Sequence, residues 1–218
     1  MFIDGKVKIG SVYNDNLGIT SPANEADGRV GGRGTTSEIT LNTKLGGAPE
    51  ALASVLAHEG LHAYQYATGK TPLEDLQVET GASLVGARVW SEMGADKEKV
   101  TGTDAQAMVK QMKGDAAAYD PKKSATENQW RMELQVATVY SSGYAGSGDR
   151  RRFGEGARMV NQLLARPDAA DVLKAASDSD IKRLFFAYST FMKADRSLVS
   201  KANWQTLFDQ MDARKLWN

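Results

Sequence analysis

Along this chain the spacing of apolar residues changes period once. Near the N-terminus Val7 and Ile9, with Val12 beyond them, alternate with polar residues, which predicts a short strand or hairpin inside a Gly-, Asn- and Asp-rich stretch running to Thr36. Ile39 and Leu41 alternate with Glu38, Thr40 and Asn42, a further strand that Gly46 and Gly47 end. From Pro49 onward the period is helical. Pro49 suits a first helical turn, and Ala51, Leu52, Val55, Leu56 and His62 recur at helical spacing to about Ala67, with Gly69 as the stop. Thr71 and Pro72 then supply a cap and a first-turn proline for a second helix through Leu73, Leu76, Glu79, Ala82, Val85, Val89 and Trp90 to Gly94. A connection of only about four residues makes such helices antiparallel neighbours.

Beyond Gly94 the pattern weakens, and a third helix is predicted only over Asp104 to Met112, before the break at Asp120-Pro121. Ser124 and Glu127 form a Ser-x-x-Glu capping box that opens a helix through Trp130, Leu134, Val136 and Val139 to about Ser142. Tyr144 to Gly156 reads as a glycine-rich loop, and short helices follow over Ala157 to Ala165, Ala169 to Ala176, Asp180 to Met192 and about Leu198 to Ala213. The sum is an α+β chain, mostly helical, organised as a single domain over residues 1–218. It divides into a β-rich region over 1–47, a helix pair over 48–94 and a helical region over 104–218. Trp90, Trp130 and the Phe185-Phe186 pair sit at helical spacing and are expected in the core, and Tyr64 and Tyr66 are expected to close the helix pair.

Composition narrows the chemistry. Lys and Arg total 27 and Asp and Glu total 27, so no net field favours nucleic acid or an anionic membrane, and neither is an expected partner. The run Asp149-Arg150-Arg151-Arg152 reads as a solvated loop. No stretch approaches the ~20 apolar residues of a membrane span and no Sec-type leader is visible, so the sequence predicts a soluble chain, cytoplasmic or exported by a route without such a leader. Its oligomeric state is not encoded in these patterns. The chain has no cysteine, so thiolate ligands, disulfides and cysteine nucleophiles are excluded.

Both histidines of the chain, His58 and His62, fall in the first predicted helix, four apart, with Glu59 between them. On a helix, positions i and i+4 lie one turn apart on one face, so both imidazoles reach one metal ion while Glu59 projects beside it. A catalytic zinc ion usually has three protein ligands and an open position for water or substrate. With histidine and cysteine exhausted, the third ligand is an Asp or a Glu. The midpoint of the histidines lies roughly 10 Å before the end of its helix, and the same distance along an antiparallel partner reaches Glu79. Glu74 and Asp75 lie a turn or more off level, and a one-turn error in the helix boundaries would let either take its place.

This His-Glu-x-x-His helix followed by a glutamate helix resembles the gluzincin zinc metallopeptidases, over Glu38 to about Met93. The resemblance implies a zincin-like active-site helix pair in which His58, His62 and Glu79 hold Zn2+. Glu59 would then activate a zinc-bound water to hydrolyse a peptide bond of a peptide or protein substrate. The small residue three after the glutamate, Ala82, matches the compact members. Thermolysin-like members carry an aspartate four residues after the third ligand where this chain has Ser83, which sets it apart from that branch. In the resembling families an antiparallel edge strand preceding the metal helix pairs with the substrate backbone, and Glu38 to Asn42 has that place in the order. A histidine or tyrosine often stabilises the oxyanion there. With no histidine left, a tyrosine or an arginine must serve here, and Tyr140 and Tyr144 are the candidates. Other classes compatible with the motif are a zinc-stabilised interaction or effector-like module without hydrolysis, and a zinc amidohydrolase acting on a non-peptide amide.

Overall fold

A computed structural model describes residues 6–10, 18–22, 37–45, 48–68, 74–94 and 103–217. Among these residues the chain is mostly helical, with one small sheet at its N-terminal end. Strands β1 (Lys6–Gly10), β2 (Gly18–Pro22) and β3 (Ser37–Asn42) precede helices α1 (Pro49–Thr68), α2 (Asp75–Met93), α3 (Thr103–Ala118) and α4 (Ala125–Ser147). Four more follow: α5 (Phe153–Leu164), α6 (Ala169–Ala175), α7 (Asp178–Ala194) and α8 (Lys201–Ala213). No described helix is long and apolar enough to cross a membrane. The predicted glycine pair at 46–47 and the connection with its Thr71-Pro72 cap lie outside the described residues.

Strand β3 is the middle strand, parallel to β1 on one side and antiparallel to β2 on the other. The edge expected over Glu38 to Asn42 is therefore already paired. The outer positions belong to β1 and β2, the latter of which the sequence pattern leaves inside a loop-rich stretch because its five residues, Gly18-Ile19-Thr20-Ser21-Pro22, show no clear alternation. Pro22 ends β2, and an edge strand is where a sheet tolerates proline.

Contacts group the chain into two compact units: residues 1–73 with 80–128, and residues 74–79 with 129–218. In the first, α1 packs on β2 and β3. Ile39 and Leu41 from β3, Ala51, Val55 and Ala63 from α1, Trp90 from α2, and Val109 and Met112 from α3 form one buried cluster. Full burial of each large side chain there contributes about 1.5–3 kcal/mol. Helix α3 runs a turn and a half past the predicted Met112, because Ala116, Ala117 and Ala118 offer helix propensity without large apolar side chains to reveal a period. Asn128 is buried and closes the turn before α4, donating to the Asp120 carbonyl at 2.8 Å and accepting from the Asp120 N–H at 2.8 Å.

Where α2 crosses α1, a Cβ at Gly86 would lie 3.2 Å from the Ser54 carbonyl oxygen and 3.5 Å from the His58 Cβ. The Ser54 hydroxyl donates to the Gly86 carbonyl at 2.8 Å across the same crossing. Further along, a Cβ at Gly81 would stand 3.4 Å from Leu61. Position 54 thus meets 86 and position 61 meets 81, so α1 and α2 are antiparallel, as the short connection predicts.

The second unit centres on α7. Ile181, Leu184, Phe185, Tyr188 and Phe191 are buried, and Gly156 of α5 lies so close that an added Cβ would come within 2.7 Å of the Phe191 ring. Buried Tyr188 donates to the Asn161 side chain and accepts from the Ser200 N–H at 2.9 Å. Burial pushes its phenol pKa up, so the hydroxyl stays protonated as this geometry needs. Arg214 caps the C-terminal end of α6, donating to the carbonyls of Leu173 at 2.6 Å and Ala176 at 2.9 Å. Phe185 is in the core as expected but Phe186 is 56% exposed, since adjacent helical positions point about 100° apart. Trp90 is core and Trp130 half-buried. Tyr64 and Tyr66 are both exposed and do not close the helix pair.

Gly86→Val is expected to destabilise the chain by about 1–3 kcal/mol through overpacking at the helix crossing. Denaturant unfolding measures it, and a midpoint unchanged from wild type would contradict so tight a crossing.

Candidate metal centre

His58 and His62 are carried by α1, the half-buried His58 in front of the buried His62. Their Nε2 atoms approach to 3.2 Å, with the rings near perpendicular at 4.9 Å between centroids. Two nitrogens bound to one tetrahedral ion at ~2.0–2.1 Å stand roughly 3.3 Å apart, so this separation suits a shared metal. The His62 Nδ1 lies 3.3 Å from the Gln65 Oε1. Because an amide oxygen only accepts, Nδ1 carries the proton and the Nε2 lone pair faces the site.

Among the described residues, His58, His62 and Glu79 offer ligand atoms that all lie within 4.8 Å of one another, a group that could hold a metal ion. Glu74 and Asp75 are not part of it. The Glu74 carboxylate accepts from Gln77 at 3.2 Å, and Asp75 pairs with Arg158 at 2.7 Å.

Glu59 is buried, and its Oε2 accepts a hydrogen bond from the Thr20 hydroxyl of β2 at 2.7 Å. The same hydroxyl stands 2.9 Å from the Glu59 carbonyl oxygen. Gly18 permits this seat: a Cβ there would come within 2.9 Å of both the Glu59 Cγ and the Val55 Cγ1. The strand thus lies directly against the acid of the motif. Sequence periodicity does not reveal Thr20, whose only local signal is the β-branched pair Ile19-Thr20.

Helix α4 continues to Ser147 and ends at Gly148, whose φ of +68° is the left-handed conformation of a helix stop. The loop expected over Tyr144 to Gly156 is thus a continuation of the helix, then a capped 3-10 turn at Arg150–Arg152, then α5. Gly143 and Gly146, which read as loop residues, are helical with open space around them. The extension puts Tyr140 and Tyr144 four apart on one helical face, their rings near perpendicular at 5.9 Å. The Tyr140 hydroxyl donates to Glu79 Oε2 at 2.6 Å. Burial, followed by the charge of Glu155, pushes the Tyr144 phenol pKa well above its usual range, and the Arg152 guanidinium lies 5.3 Å over its ring. Arg151 instead forms an exposed pair with Asp149 at 3.0 Å.

Comparison of the chain with protein-family models, with curated proteins and with solved structures finds no match. Function is therefore read from the site itself.

Gly18→Ala is expected to destabilise by about 1–3 kcal/mol, since the methyl displaces Glu59 or Val55. A glycine in an unobstructed position would instead gain about 0.4–1 kcal/mol from the same change. The sign of the shift in denaturant midpoint distinguishes the two.

Proposed function

We propose that this chain is a zinc-dependent metallopeptidase in which His58, His62 and Glu79 hold the metal and Glu59 is the general base. The observation that carries the reading is the convergence of the two Nε2 atoms and the Glu79 carboxylate, with Glu59 on the turn between the histidines. Three nitrogen and oxygen donors without cysteine match a catalytic rather than a structural zinc site, which favours four protein ligands and thiolates. When bound, zinc supplies a Lewis acid that polarises a carbonyl and lowers the pKa of water from 15.7 to about 7.

The chain's own residues do the rest. Thr20 donates to Glu59 Oε2 and orients the carboxylate, whose Oε1 lies beside Gly18, and Glu59 is the group that would take the proton from the attacking water. The same carboxyl then delivers that proton to the departing amide nitrogen, regenerating the base. Gln65 fixes the His62 tautomer, so the ring presents a lone pair on Nε2 without rearrangement. The substrate class is a peptide or protein.

A peptide-library cleavage assay run beside metal analysis tests this reading. Stoichiometric zinc and metal-dependent cleavage are expected from the wild type. Glu59→Gln should retain the zinc and lose about 10²–10⁴-fold in kcat. Zinc bound without cleavage of any peptide would overturn the assignment in favour of a structural metal. Glu79→Ala should weaken zinc uptake by more than the ~10-fold typical of losing a supporting hydrogen bond. Glu74→Ala should leave uptake near wild type, and the reverse order would move the third ligand.

A further inference from the structure

A glutamate ligand sits at the end of a flexible arm, and ordering that arm costs up to about 1.5–2 kcal/mol of side-chain entropy. Glu79 does not face this unaided. The Tyr140 phenol reaches its Oε2 at 2.6 Å, within the range of a charge-assisted O–H···O bond. Tyr140 is in turn fixed from the side by the edge-to-face contact with Tyr144 at 5.9 Å. Tyr144 is held by the Arg152 guanidinium over its ring at 5.3 Å. The chain of contacts begins at the turn Arg150–Arg152 and ends on the carboxylate.

We infer that Tyr140 is a positioning residue that sets metal affinity, by donating to one oxygen of Glu79 and orienting the carboxylate as a ligand. This rests on the metal-binding reading above and goes beyond it, because α4 lies outside the His-Glu-x-x-His helix and the glutamate helix. A phenol suits this role because it is neutral, rigid and a donor, so it orients the carboxylate without cancelling its charge. An ammonium in its place would compete with the metal for the same electrons.

The test is zinc affinity, read by competition with a chromophoric chelator, for wild type, Tyr140→Phe, Glu79→Ala and the double variant. Tyr140→Phe keeps the ring and removes only the donor, and is expected to weaken zinc binding by about 10–100-fold. In the Glu79→Ala background the same change should have no further effect, since the phenol then has no carboxylate to orient. The thermal midpoint of the metal-free protein, measured alongside, should be within error of wild type for Tyr140→Phe. If folding is impaired, the Glu79→Ala background still isolates the effect on the ligand. Zinc bound equally by wild type and Tyr140→Phe overturns the role of Tyr140 alone, as does a loss that persists in the Glu79→Ala background. A wild type that takes up no zinc overturns the metal-binding reading and this inference together.

Discussion

The close crossing of α1 and α2 at Ser54 and Gly86 is the constraint on which the candidate metal site depends. A metal ion needs donors placed within a few tenths of an ångström of their ideal separation, and helices with larger residues at their crossing stand ~8–10 Å apart with play in their register. Here the absence of a side chain on Gly86, and the Ser54 hydroxyl on the facing carbonyl, fix both depth and register one turn from His58. The histidine separation is intrinsic to α1. The crossing fixes which residues of α2 meet α1 there.

A second constraint acts on Glu59. A carboxylate with little exposure is costly unless its oxygens find donors, and β2 supplies one through Thr20. Small residues allow the strand to come this near: at Gly18 even a methyl group would collide. The sheet is small, yet it packs on the helix that carries the whole motif, so it contributes to the site as well as to the core. Glu59 and Glu79 are each addressed by a neutral hydroxyl, from Thr20 and from Tyr140.

The parts of this arrangement visible in the sequence are those governed by local periodicity. The spacing of His58 and His62, the glycine stop at Gly94 and the level of Glu79 all follow from helical geometry over a few turns. The strand holding Thr20 is not visible there, because five residues between a glycine and a proline carry too little alternation to signal pairing with a strand far along the chain. Helix α4 reads too short for the opposite reason. Gly143 and Gly146 resemble loop residues, and their cost of roughly 1 kcal/mol each is outweighed by contacts that no local rule records, including those of Tyr140 and Tyr144. Exposed Phe186 shows the limit of reading burial from residue type when neighbouring positions on a helix face in different directions.

The register of the helix pair is held by its crossing. Lengthening a connecting loop raises its closure entropy only logarithmically, by about 0.6 kcal/mol per doubling. A helix pair aligned from within can thus accept insertions between positions 68 and 75 that would displace a pair aligned by its turn. Variation in length is tolerable there, while at Gly86 there is scarcely room for a single methyl group.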